Sequence, residues 1–324
     1  MKKKRQLIVK LILLLVFGWL FVTFVDVSEV LSNLAKLTWV TLSLIVFLEF
    51  AFIFVEALKV YLVAERKIPY RLLVKTRLLG KFANIFLPGS FSGDVLRSWI
   101  IKSQSEVSFT KAIMLLLAGR AYGLLGLAVL FGGFCFISSG EIVTSLGVSA
   151  PSAGIIALLI CLIPLLLNLR NFRRLCTMMI RRSPFARLRT ILRKAYFALY
   201  KCGRPSLWGV ALILSAVSSA ILAYEFTLLS DNFLMDLDIQ FWVFALTIMT
   251  FALLIPIGLG GVGTQDISLV FAGSLVGQTP EMMVAVSLCI HGMRVVTSLP
   301  GAFFLSDLTE ASKALMRSKS RKSI

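Results

Sequence analysis

What most restricts this sequence is a series of apolar runs long enough to cross a bilayer, separated by connections in which the charges gather. About 20 apolar helical residues span a hydrocarbon core of roughly 30 Å. Runs of that order occupy 7–25, 39–64, 111–137, 206–229 and 282–305, with shorter ones at 155–167 and 241–254. Of the 324 residues, 58% are hydrophobic and 15% charged, more apolar than the surface of a soluble domain tolerates, which excludes a soluble enzyme. The expected fold is all-α: a polytopic integral membrane protein of about eight membrane segments. One transmembrane domain covers 1–308 and a basic tail covers 309–324.

Lys and Arg total 34 against 16 Asp and Glu, a net charge of +18. The basic residues lie between apolar runs rather than on one polar face, so they read as topology signals and anionic-lipid contacts, and no nucleic-acid partner is expected. Lys2 to Arg5 precede the first run, which ends without a small-residue cleavage site and so reads as an uncleaved helix with its N-terminus inside. The 26–38 connection carries Asp26 and Glu29 with Lys36, whereas the next carries Arg66, Lys67, Arg71, Lys75 and Arg77 and belongs to the cytoplasm. Within the 169–205 connection, the stretch from Arg170 to Arg204 is rich in Lys and Arg, has no acidic residue and is interleaved with apolar side chains. It reads as an amphipathic segment lying on anionic lipid. Both termini are expected in the cytoplasm, and the expected location is the inner (cytoplasmic) membrane.

Two apolar stretches are interrupted at matching places in the two halves. In the first half, about 39–138, the break at 87–93 contains Pro88, Gly89 and Gly93; in the second, about 206–306, the break at 255–263 contains Pro256, Gly258, Gly260, Gly261 and Gly263. The arms on either side are too short to cross alone. Each break therefore reads as a re-entrant pair of half-helices, and the charge pattern makes the pairs an inverted repeat, one entering from the cytoplasm and one from outside. Backbone freed by a break must face protein or a wet cavity. Paired interruptions of this kind point to a transport site near the bilayer midplane.

Ionisable residues inside the spans need a reason, because each costs roughly 2.5–3.5 kcal/mol on insertion scales. Asp94 and Arg97, three apart after the first break, share a helix face, and an intrahelical ion pair stands beside a phosphate-binding role for the Arg97 guanidinium. Arg120 and Arg294 have no opposite charge within a helical turn, which leaves Glu49, Glu56, Glu225 and Asp266 as candidate partners from other helices. Glu49 and Glu56 are seven apart and share a face, so they permit one wall of a polar cavity. The G-x-G-x-x-G match at Gly258, Gly260 and Gly263 follows an apolar helix rather than a strand and is not read as a nucleotide site. The single histidine, His291, excludes a two-histidine zinc site, and the cysteines have no metal-like spacing; no metal or cofactor is expected.

Taken in order, Asn84, Pro88-Gly89, Gly93-Asp94, Arg97, Arg120, Pro256, Gly260-Gly261, Gly263, Asp266 and Arg294 resemble the transmembrane region of lysylphosphatidylglycerol synthetase, over nearly the whole chain. That family includes stand-alone, flippase-like membrane proteins. The resemblance implies a lipid-handling protein whose broken segments form a central cavity near Asn84, Asp94, Arg97, Arg120, Asp266 and Arg294. Two positions depart from the pattern: Gly119 precedes Arg120 where an acidic residue is common, and Asp266 stands where glutamate is more usual. No soluble acyltransferase domain follows the last span, so aminoacyl transfer from tRNA is not expected.

The leading expectation is flippase-like translocation or binding of a phospholipid or lipid-linked headgroup in a cavity lined by buried arginines and carboxylates. A homo-oligomer is compatible with this reading. No catalytic residue is assigned. A membrane-embedded aminoacyl or glycosyl transferase acting on a lipid phosphate, with Asp94, Glu49 or Asp266 as base, stays open as an alternative. So does a regulatory or scaffold subunit that docks a partner through 170–204.

Overall fold

A computed structural model of the protein describes residues 27–86, 92–137, 150–166, 205–252 and 263–304, with isolated positions between 174 and 189. Outside the described residues lie the first run 7–25, Pro88, Gly89, Pro256, Gly258, Gly260, Gly261, the tail 309–324 and nearly all of the basic connection 170–204.

Among the described residues, ten α-helices follow in chain order: α1 Val27–Leu34, α2 Trp39–Val63, α3 Tyr70–Phe86, α4 Ser92–Gln104, α5 Phe109–Ile137, α6 Ala150–Leu166, α7 Pro205–Asn232, α8 Ile239–Ala252, α9 Thr264–Ser274 and α10 Pro280–Ser298. A 3₁₀ segment, Leu299–Phe304, continues α10, and no strand occurs among the described residues. Helices covering Trp39–Val63, Phe109–Ile137, Leu207–Asn232 and Pro280–Phe304 are long and apolar enough to cross a membrane, and the shorter apolar helices Pro151–Cys161 and Ile239–Ala252 join them. The fold is thus an all-helical polytopic membrane protein.

Its polarity is reversed relative to a soluble bundle. On α2 the buried face includes Glu49, Glu56 and Lys59, while Phe47 and Phe54 point outward. On α7, Ser215, Ser218 and Glu225 are buried while Ile213 and Val217 are exposed. Apolar side chains facing outward around an interior that holds charge is the arrangement a hydrocarbon solvent favours.

A long–short–short–long order occurs twice, with 25, 17, 13 and 29 residues in α2 to α5 and 28, 14, 11 and 19 in α7 to α10. At a rise of about 1.5 Å per residue, the described parts of α4, α8 and α9 come to roughly 16–21 Å, against a ~30 Å hydrocarbon core. Two apolar cores form, one around Leu73, Ile100 and Leu116 and the other around Phe226, Trp242 and Leu269, which Ile45 of α2 and Leu127 of α5 also enter. Helix α7 joins them by packing against both α2 and α5. At Gly126 a methyl group would collide with the Ser215 backbone, so the α5–α7 approach requires the missing side chain.

Local chemistry sets the helix ends. Thr38 caps α2 by accepting from the Thr41 amide at 3.2 Å, and Thr279 caps α10 ahead of Pro280 at the first helical position. After α2 the chain reverses through Glu65 and Arg66, both at positive φ (54° and 60°), and enters α3 beyond Pro69. This lays α3 against α2.

Candidate functional site

The first break is closed from its upstream arm. Asn84, near the end of α3, accepts a hydrogen bond on Oδ1 from the Gly93 amide at 2.9 Å. A Cβ at Gly93 would strike both Asn84 Oδ1 and the Gly80 carbonyl, so only glycine lets α4 begin this close to α3. Gly80 in turn leaves the slot through which the Arg97 side chain passes.

That passage places Arg97 beside Asp94. Arg97 Nη1 donates to Asp94 Oδ1 at 3.1 Å, while Arg120 Nε from α5 lies 2.6 Å from Asp94 Oδ2. One carboxylate therefore serves two arginines. The Arg120 side chain is 42% exposed, but Arg97 as a residue is only 5% exposed. Its Nε and Nη2 have no hydrogen-bond partner among the described residues. Arg120, expected to pair with Glu49, Glu56, Glu225 or Asp266, instead finds Asp94 because α4 packs directly on α5.

Next to this pair, Glu56 accepts from the fully buried Lys59 one helical turn on and from Ser218 Oγ of α7 at 3.0 Å. It also pairs with Arg77 Nη2 of α3 at 3.2 Å. The Arg77 guanidinium sits 5.4 Å from the centre of the Phe52 ring, in cation–π range. The charges of Arg77, Arg120 and Glu56 all act on Arg97, so these groups form one centre. It holds the cations Lys59, Arg77, Arg97 and Arg120 against the anions Glu56 and Asp94.

A second centre lies one step along the same helices. Lys81 donates to Glu49 Oε2 at 2.5 Å and to Thr297 Oγ1 at 2.7 Å. Arg294 Nη1 donates to Gln265 Oε1 at 2.7 Å, and its Nε lies 3.9 Å from Glu49 Oε1. Glu225 of α7 faces this group and senses the charges of Glu49, Arg294 and Lys81.

Asp266 stands apart from the arginines. Its Oδ2 accepts from the Gly263 amide at 2.7 Å, and its Oδ1 is met by Ser287 Oγ and by His291 Nε2 at 2.9 Å. Gly263 has φ of 90°, which favours glycine, and the carboxylate three residues on completes the backward half of a capping box. Asp266 thereby fixes the start of α9 and ties it to α10.

The sequence model of the family described as Lysylphosphatidylglycerol synthase TM region matches residues 7–301. The chain belongs to this family. No curated protein and no solved structure matches it. Membership goes with a membrane-embedded, lipid-related role.

For this lysylphosphatidylglycerol synthase TM-region chain, the residues marked in the sequence fall into three groups. Asp94, Arg97, Arg120 and Glu56 meet in the first centre; Glu49 and Arg294 meet in the second; Asn84, Gly93, Gly263 and Asp266 shape the breaks. Sequence reasoning did not mark Lys59, Arg77, Lys81 or Gln265 as site residues. A signal for two of them existed: Arg77 and Lys81 are four apart on α3, and Glu49 and Glu56 are seven apart on α2. Antiparallel helices with these spacings bring Arg77 to Glu56 and Lys81 to Glu49.

Proposed function

We propose that this protein binds and moves the anionic headgroup of a phospholipid or lipid-linked substrate between leaflets, with the first centre as its phosphate site. The observation that carries this reading is Arg97: a guanidinium held by Asp94 on one nitrogen, with two further nitrogens buried and without hydrogen-bond partners among the described residues. Buried donors without acceptors are costly, and a guanidinium fork fits phosphate oxygens. The surplus of cations around it favours an anion of one or two charges. Arg120, partly exposed, is suited to first contact; Arg97 then takes the phosphate deeper, while the acyl chains stay in lipid.

On this reading the two broken helix pairs are inverted copies that flank a central cavity. Both termini lie in the cytoplasm of an inner-membrane protein, and the basic connection 170–204 rests on anionic lipid. The absence of a P-loop motif in the sequence leaves a gradient, or passive exchange, as the source of movement.

The test is mass spectrometry of lipids retained after mild extraction, with a leaflet-transfer assay in vesicles alongside. Wild type should retain one anionic lipid class selectively. Arg97→Ala should lose that enrichment and slow transfer at least tenfold, and Arg97→Lys should restore little, because a point charge lacks the fork. Retention of the same lipid class by all three proteins would overturn the assignment.

A further inference from the structure

We propose that Glu225 is a proton-binding carboxyl that loads together with the anionic headgroup, so that lipid movement is driven by a proton gradient. The proposal rests on the lipid reading above, but on different residues. Glu225 is fully buried on α7, and neither of its carboxyl oxygens has a hydrogen-bond partner among the described residues. An ionised carboxylate without donors in such a place is strongly disfavoured, whereas a neutral carboxylic acid is tolerated.

Its surroundings give that proton a purpose. Ser218 and Glu225 are seven apart on α7, and Ser218 already bonds Glu56, so the same face carries Glu225 toward Glu49. Glu49 holds Lys81 at 2.5 Å and Arg294 at 3.9 Å, and those cations are directed at it rather than at Glu225. Of the elements packed on α7, α2 contributes Glu49 and α10 contributes Arg294, while Lys81 reaches in from α3. Helix α8 carries no charged residue, and on α5 Arg120 is engaged by Asp94, with Lys111 at the start of the helix.

With Glu225 neutral, Lys81 and Arg294 face a single carboxylate and leave one positive charge in excess. A phosphate monoanion passing on from the first centre balances it. When the Glu225 O–H bond breaks and the proton passes to water, Lys81 or Arg294 turns from Glu49 to the new carboxylate. The excess charge disappears and the phosphate is released. Proton and headgroup thus bind and leave together, one for one, with no net charge moved.

The experiment uses the full chain in phosphatidylcholine vesicles containing fluorescent phosphatidylglycerol, with a pH gradient imposed and an internal pH dye. Wild type should move the labelled lipid several-fold faster down a proton gradient than without one, and the dye should report protons moving with it. Glu225→Gln, locked in the neutral shape, should lose both the gradient response and the proton signal. Lipid movement indifferent to the gradient overturns the coupling while the headgroup reading stands. An absence of any lipid movement fails the headgroup reading and the coupling with it.

A second measurement separates the proton from the lipid. Infrared difference spectra of the purified protein should show a protonated-carboxyl carbonyl band at neutral pH that is absent in Glu225→Gln and shifted in Glu225→Asp. Should the glutamine variant fail to fold, the aspartate shift decides alone. A spectrum without that band overturns the site.

Discussion

The two broken helix pairs look alike in sequence, each with glycines at the break and an aspartate just beyond, yet they use that aspartate differently. At the first, Asn84 closes the break on the Gly93 amide, which leaves Asp94 available to hold Arg97 and Arg120. At the second, among the described residues, it is Asp266 itself that closes onto the Gly263 amide, and it is bound by Ser287 and His291. Arg294 therefore turns to Gln265 and Glu49 instead. An acidic residue beside a helix break serves charge only where something else satisfies the backbone.

The largest effect should come from removing the carboxylate that serves two cations. Asp94→Ala leaves Arg97 buried with no ion pair one turn away and should cost about 3–5 kcal/mol, the range for breaking a buried pair. A fall of several degrees in the unfolding temperature in detergent, with loss of anionic-lipid retention, is expected. Asp266→Ala should cost less, about 1–2 kcal/mol, since the donors it leaves behind, the Gly263 amide, Ser287 and His291, include no permanently charged group such as Arg97. Its lipid selectivity should persist. A reversed order of the two would break the division of labour between the aspartates.

Much of this difference was beyond reach of the sequence. Run length and the Pro/Gly interruptions set the order of helices, because hydrocarbon thickness fixes how long a span must be. The Asp94–Arg97 pair was legible because three residues along a helix make a face. Arg120's partner was not, since it depends on α4 lying against α5 rather than on any spacing. Arg77 read as a topology charge with the Arg66–Lys75 cluster, Lys81 carried no reading, and Lys59 lies near the end of its span. Only the reversal at Glu65 and Arg66 folds α3 back, so that its cations lie against the carboxylates of α2. Asp266 carried the same formal charge as Asp94, and its engagement with backbone follows from the positive φ of Gly263, which no composition reveals.

The smallest effect sharpens the comparison most. Asn84→Ala removes one hydrogen bond to the Gly93 amide and should cost about 1 kcal/mol. Asn84→Asp should keep that bond, because a carboxylate accepts at least as well and suits the N-terminal end of α4. Unfolding temperatures close to wild type are therefore expected for Asn84→Asp, slightly lower for Asn84→Ala. The two variants should part in lipid retention. An aspartate at 84 brings a second negative charge to the start of α4, where Arg97 has donors to spare, and it competes with an incoming phosphate for them. Asn84→Ala should retain the anionic lipid, and Asn84→Asp should lose most of it at nearly unchanged stability. Equal retention by both would mean that closing the break and binding the anion are not separate tasks at this site, and that the neutrality of the asparagine has no bearing on the charge Arg97 can receive.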